Sequence, residues 1–421
     1  MQDFFKLGLT QDLAPFFKEN KLTKPTEVQS KVIPLFLEEE SLIVISQTGT
    51  GKTLSYALPL VQKLKNLEDF GEFSDKGSPQ ILVVTPTREL AAQVYAAFKG
   101  ISHHMKCRVR LLTGGDSFAK TKNLSTSIVD ILIGTPSRLV SSMKKGELKG
   151  ELVKFLILDE ADQLMDMGFS KDIATIISKI GERDYHTALF SATLAPTVED
   201  LIEKTLVHKK FKKIMLAGAH KVQSTISTFN LAVTPPNKME TCFAFLEKTA
   251  KGKGMIFCNQ KNIAENVYAF LKAKRPTAKC RLLHGDLSKE ERELSIAQFR
   301  EGKLQFLVCT DLAARGIDIE DMAWVLNYDM PKTATYYIHR AGRTGRMGNK
   351  GNVYNFVTVY DHKLIVTIND AIQKHREVNL EMIQMAQPKV LGKRLSGVTP
   401  ESQEQRKGKG KTTTKGSKYN G

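Results

Sequence analysis

The chain of 421 residues has only five cysteines and one tryptophan, and it has no apolar run approaching the length of a membrane span. The cysteines (Cys107, Cys242, Cys258, Cys280, Cys309) are scattered and form no Cys-x-x-Cys pair, so the spacing suggests neither a zinc site nor a disulfide framework. Such usage fits a reducing, cytoplasmic setting. The N-terminus, MQDFFKLGLTQDL, lacks a basic segment followed by an apolar core, so no signal peptide is expected, nor any membrane partner. Acid is short as well. Against 62 Lys and Arg stand 45 Asp and Glu, a formal net charge of +17. An excess of that size is unusual for a metabolic enzyme and points to a polyanionic partner, nucleic acid first.

Part of the excess is local. From Lys389 to Lys418 there are nine Lys or Arg against two Glu, in a stretch without apolar periodicity that is expected to be a disordered tail. The rest is spread over a body with 41% hydrophobic and 25% charged residues, enough apolar material for real cores. The length favours two or three domains.

Short apolar runs alternate with longer helical patterns. LIVIS (42–46), ILVVTP (81–86), DILIGTP (130–136), FLILD (155–159) and TALFSAT (187–193) read as strands in the first half. GMIFCN (254–259), RLLHGD (281–286), QFLVCTD (305–311), WVLNYD (324–329) and NVYNFVT (352–358) repeat the scheme in the second. The alternation predicts an α/β fold of two tandem domains, each a parallel sheet covered on both faces. The small, polar stretch AGAHKVQS (217–224), after the strand-like KKIML, marks the boundary. The expected bounds are 1–217 and 224–388, joined by a linker at 218–223 and followed by a tail at 389–421.

SQTGTGKT (46–53) follows the run LIVIS and opens a helical pattern, the context that a phosphate-binding loop requires. Across Ser46, Gln47, Thr48, Gly49, Thr50 and Gly51, the two glycines let backbone N–H groups close around phosphate oxygens, and the helix start adds a favourable dipole. Lys52 would reach the β- and γ-phosphates and Thr53 would ligate Mg2+. Ser46 stands where the generic pattern has a glycine.

VKFLILDEADQLMDMGF (153–169) sends an apolar run straight into Asp159, Glu160 and Asp162. Alone, the cluster reads equally as a solvated turn or as a metal-and-water site at the carboxyl end of a parallel strand. A phosphate loop needs a second acid to hold Mg2+ and orient water. Beside Lys52 and Thr53, the second reading follows: Asp159 on Mg2+, Glu160 on the attacking water.

The set DEAD (159–162), SQTGTGKT, PTREL (86–90), TGG (113–115), SAT (191–193), TDLAARGID (310–318) and HRAGRTGR (339–346) resembles the DEAD-box family of ATP-dependent RNA helicases. The motifs follow the family's order over roughly residues 4 to 360, and the compact core with a short tail resembles bacterial members. The resemblance implies two RecA-like domains with ATP in the cleft between them and RNA bound across both. It implies an adenine-recognition segment over 2–30, with Phe4 as the upstream aromatic, Thr26 beside it and Gln29 reading the adenine edge; Leu22 stands where the family often has an aromatic. It implies arginine fingers at Arg343 and Arg346, help from His339 in holding the water, and Asp318 on the ribose. Asp162, Ser191 and Thr193 would connect the acid cluster to the closed state.

The same resemblance points to RNA contacts at Pro86, Thr87, Arg88, Gly114, Gly115, Thr135 and Arg138 in the first domain. In the second it points to His284, Gly285, Arg292 and Thr310. Such groups grip backbone and ribose and carry little sequence information. Ser137 and Lys289 stand where the family usually has Gly and Gln. No stacking aromatics of the single-strand-binding kind are evident. The expected activity is RNA-dependent ATP hydrolysis that separates short duplexes or remodels RNA–protein complexes. An ATP-gated RNA clamp and a DNA helicase of the same superfamily are its rivals. No protein partner is indicated.

Overall fold

The structure, a computed structural model, describes residues 1–46, 49–114, 124–194, 196–206, 208–216, 225–314, 322–345 and 349–373. Seven parallel strands form the first sheet: β1 (Ser41–Ile45), β2 (Ile81–Val84), β3 (Val109–Leu112), β4 (Ile131–Gly134), β5 (Phe155–Leu158), β6 (His186–Ser191) and β7 (Phe211–Met215). Their spatial order is β3-β4-β2-β5-β6-β1-β7. Six parallel strands form the second: β8 (Ile226–Ala232), β9 (Gly254–Cys258), β10 (Cys280–Leu283), β11 (Phe306–Thr310), β12 (Trp324–Asn327) and β13 (Gly351–Val357), in the order β10-β11-β9-β12-β13-β8.

The apolar runs are continuous because both sheet faces are covered. Leu42, Val44, Ile81, Val83 and Ile157 enter one core, while their chain neighbours Ile43, Ile45, Leu82, Val84 and Leu158 enter another on the opposite face. Met255, Phe257 and Val325 oppose Ile256, Cys258 and Leu326 in the second sheet. Each such burial contributes about 1.5–3 kcal/mol before the entropy of ordering is counted. No described helix is long and apolar enough to cross a membrane.

All ten predicted strands are present, trimmed by a residue or two at most ends. The strand-like KKIML is β7, at one edge of the first sheet; two others, β3 and β8, also lie at sheet edges and escape the sequence pattern. With one side open to water, β8 alternates Phe229 and Leu231 with polar residues instead of forming an apolar run. The predicted linker and tail lie outside the described residues.

Topology positions the site. In the first sheet β5, β6 and β1 are neighbours, and β2, the next strand in the chain after β1, lies beyond β5. The carboxyl ends of these strands therefore meet at a reversal of strand order, where open α/β sheets bind ligands. Ser46, Asp159 and Ser191 stand there.

Candidate active site and nucleic-acid cleft

The loop after β1 turns on two glycines in the left-handed region, Gly49 at φ +78° and Gly51 at φ +90°. Gly51 caps the helix Lys52–Asp69 and passes so close to Gln29 that a Cβ there would stand 2.7 Å from its Nε2. Lys52 is buried, and its Nζ donates to the Ser46 carbonyl at 2.9 Å. The Ser46 backbone N–H donates to the Ser191 carbonyl at 3.0 Å, which ties the loop to the end of β6. Gln47 and Thr48 lie outside the described residues.

The acids are not a solvated turn. Asp159 and Asp162 are 3% and 1% exposed. Asp159 accepts from the Tyr56 hydroxyl at 2.7 Å and from the Glu160 N–H at 2.9 Å. Burial raises its pKa, against the opposing charge of Lys52. Glu160 adopts φ +50°, ψ +53°, a left-handed conformation that costs a non-glycine residue about 1–2 kcal/mol. Strain of this kind collects where function needs a particular side-chain direction. Burial and then the Asp159 charge raise the Glu160 pKa, and its Oε2 is buried without a hydrogen-bond partner.

Asp162 turns the other way. Burial opposes its charge, but His339, Lys52 and Thr193 outweigh burial and hold its pKa well below the usual carboxylate range. Its Oδ2 accepts from the Thr193 N–H at 3.1 Å and the Thr193 hydroxyl at 3.0 Å. Its N–H donates to Ser191 Oγ at 3.2 Å. The acid cluster and the end of β6 are thus one hydrogen-bonded unit.

The second half of the chain reaches this unit. His339 Nε2 lies 3.6 Å from Asp162 Oδ2, close enough to pair electrostatically but long for a hydrogen bond. His339 is 7% exposed, and both its ring nitrogens are buried without hydrogen-bond partners. Arg343, a predicted finger, is also buried. Arg346 and Asp318 lie outside the described residues.

Sequence reasoning missed Arg340. It is 1% exposed and donates to Asp311 (2.6 and 2.7 Å), Asn327 (3.0 Å), the Asp329 carbonyl (2.7 Å) and Asn259 (2.7 Å). It binds the ends of β9, β11 and β12 together. Only its position three residues before Arg343 could have drawn notice, and an Arg-rich run does not show which guanidinium turns inward.

Pro86, Thr87, Arg88, Gly114, Thr135, Arg138, Gly285 and Arg292 line one cleft of about 480 Å³ between the two halves. Thr310 lines an adjoining space of about 330 Å³, and Met167 borders both. Gly115 lies outside the described residues. His284 does not line the cleft: it is 5% exposed, with Nε2 3.3 Å from Glu265 and Nδ1 accepting from the Asp286 N–H at 3.3 Å. Arg292 lines it while paired with Glu89 across the halves at 2.8 Å. Ser137, in place of Gly, donates to Asp172 at 2.6 Å.

In the N-terminal segment, Thr26 and Gln29 form a capping box at the start of the helix Glu27–Leu37. Gln29 accepts from the Thr26 N–H at 2.9 Å and donates to the Gly51 carbonyl at 3.2 Å. One amide N–H and one carbonyl lone pair remain for a ligand. Phe4 has no exposed surface and stacks on Phe17 with ring centroids 4.5 Å apart, within the core beneath this segment.

Fold and site together define a phosphate-loop nucleotide-binding protein built of two RecA-like domains. Residues 26–201 match the DEAD/DEAH box helicase family model and residues 237–348 match the helicase conserved C-terminal domain, and the chain belongs to the DEAD-box helicase family. It is 33% identical to ATP-dependent RNA helicase DbpA of Bacillus subtilis over 93% of this chain and 80% of that protein. It is 32% identical to DEAD-box ATP-dependent RNA helicase 39 of Arabidopsis thaliana, over 90% of this chain but only 62% of that longer protein. Among solved structures it is similar to Saccharomyces cerevisiae Dbp5 bound to RNA and ADP BeF3, with a TM-score of 0.76 and 29% identity over 89% of this chain and 93% of that one.

Proposed function

We propose that this protein is an ATP-dependent RNA helicase that hydrolyses ATP in response to RNA and locally separates short duplexes or remodels RNA–protein complexes. The observation that carries the reading is the unpartnered buried chemistry where the two halves meet. Glu160 Oε2 and both nitrogens of His339 come from different domains and find no hydrogen-bond partner, and the two side chains interact electrostatically. Leaving such groups unmatched costs about 1–3 kcal/mol each, a state that persists at sites where a ligand completes the bonding.

On this reading the loop from Ser46 to Thr53 holds the phosphates, with Lys52 leaving the Ser46 carbonyl for the β- and γ-phosphates. Thr53 and Asp159 would hold Mg2+, which when bound neutralises phosphate charge; two protein ligands are too few alone, so phosphate oxygens and water would complete the shell. Glu160 accepts the proton of the attacking water, and its pKa, raised by burial, suits a base. Arg343 and Arg346 stabilise charge on the transferring phosphoryl group, His339 orients the water, and Asp318 meets the ribose. Gln29 reads the adenine edge with its remaining donor and acceptor.

Because these groups lie on two domains, taken as 1–217 and 224–388, the site is complete only when the domains close. RNA in the shared cleft favours closure and so raises turnover. RNA and a nucleotide analogue bound together in the similar yeast structure support this arrangement. The tail from residue 389 would act as a non-specific RNA tether. Five buried, free cysteines suit a reducing, cytoplasmic location.

The test is displacement of one strand from a short RNA duplex by the full chain. Displacement should require ATP and vanish in Lys52→Ala. RNA-stimulated hydrolysis with no strand displacement would leave a clamp, not a helicase.

A further inference from the structure

Tyr56 lies on the first turns of the helix Lys52–Asp69, four residues after Lys52 and three after Thr53, on the face that carries both. It is fully buried. Its ring is held by Phe190 (centroids 4.9 Å apart, 51° between planes) and Phe98 (6.1 Å, 39°), so the hydroxyl has one direction to point. That direction is Asp159, whose Oδ2 accepts from it at 2.7 Å. A buried tyrosine needs a partner for its O–H, but a backbone carbonyl would serve equally well. Here the partner is one of the two side chains assigned above to the metal.

We propose that Tyr56 is a positioning residue that fixes the Asp159 carboxylate, and through it the divalent cation, relative to the phosphate loop. The inference rests on the nucleotide-binding reading given above. The geometry is that of an outer-shell brace. Asp159 Oδ1 accepts from the Glu160 N–H at 2.9 Å and Oδ2 from Tyr56, so both oxygens are held and the rotamer is set before any ligand arrives. Each oxygen keeps a lone pair for the cation or for a water bound to it. A tyrosine hydroxyl keeps its proton at neutral pH, so it serves as a donor to the carboxylate. Outer-shell partners of this kind typically change metal affinity 10–100-fold when removed.

The sequence alone could not single this residue out. A tyrosine one turn into an apolar helix reads as core, and Tyr56 does pack in the core; only the fold brings its hydroxyl to a residue 103 positions later.

The test is Tyr56→Phe in the full chain, which removes one oxygen and keeps the ring. Binding of a fluorescent, non-hydrolysable ATP analogue is titrated with Mg2+ and repeated in EDTA. Thermal melting without nucleotide serves as the control for folding. Half-maximal Mg2+ is expected to rise about 10-fold, with affinity in EDTA and the melting curve nearly unchanged. In an Asp159→Asn background the same Tyr56→Phe change should shift the Mg2+ midpoint no further. An unchanged Mg2+ midpoint would overturn the proposal while leaving the nucleotide site intact. An equal loss of affinity with and without Mg2+ would overturn it too, since it would make Tyr56 a packing residue. Wild-type protein that binds no nucleotide at all would overturn the functional reading and this inference with it.

Discussion

Arg340 and Arg343 belong to one basic stretch, yet the structure ties Arg340 into its own domain while the proposed mechanism assigns Arg343 to the phosphoryl group. Arg340 is consumed by Asp311, Asn327, Asn259 and a carbonyl, and it touches nothing in the other domain among its described contacts. Replacing it with Met should leave Asp311 without its partner and cost about 3–5 kcal/mol, as for other broken buried pairs. Thermal melting would show the loss directly. Arg343→Ala should instead lower RNA-stimulated turnover by about 10³-fold, the scale of an arginine finger. Glu160→Gln keeps the shape of the site but removes its base. We expect it to bind ATP and RNA while turnover falls by about 10²–10⁴-fold, the usual range for a general base. Near-normal turnover in that variant would remove Glu160 from its assigned role.

At the scale of elements, the link between the acid cluster and the end of β6 is the decisive local structure. Thr193 binds Asp162 Oδ2 twice, and Ser191 Oγ accepts from the Asp162 N–H while donating to the Thr193 carbonyl at 2.7 Å. Thr193→Ala removes one hydrogen bond to a buried carboxylate and should cost about 1.5–3 kcal/mol in stability. If this link carries closure to the nucleic-acid cleft, strand displacement should fall several-fold more than ATP hydrolysis; equal losses in both assays would reduce the link to a structural one. The elements themselves were largely legible in the sequence, because strands buried on both faces appear as apolar runs and a phosphate loop has its own spacing. The edge strands β3 and β8 were not, because an edge need not be apolar. Contact direction was also hidden. Phe4 fits a motif but is drawn under Phe17, His284 is turned toward Glu265, and Arg292 is held by Glu89. In each case tertiary packing, invisible to local pattern, chose the partner.

At the scale of the whole molecule, the two domains meet through charge as well as through the site. Arg292 and Glu89 pair at 2.8 Å across the cleft, with side chains only 16% and 19% exposed. Glu89→Gln should weaken the closed form and raise the RNA concentration for half-maximal ATPase a few-fold, with the maximal rate nearly kept. Exchanging the two charges, Glu89→Arg with Arg292→Glu, should recover part of the loss. The proposed mechanism reaches further: neither half is a complete ATPase, and RNA completes it by holding the halves together. It is tested most directly by the steady-state ATPase rate of the full chain as single-stranded RNA is titrated, with single-stranded DNA of the same sequence in parallel. A low basal rate that climbs strongly with RNA and much less with DNA is the predicted result. A rate already maximal without nucleic acid, or equal stimulation by both, would contradict it.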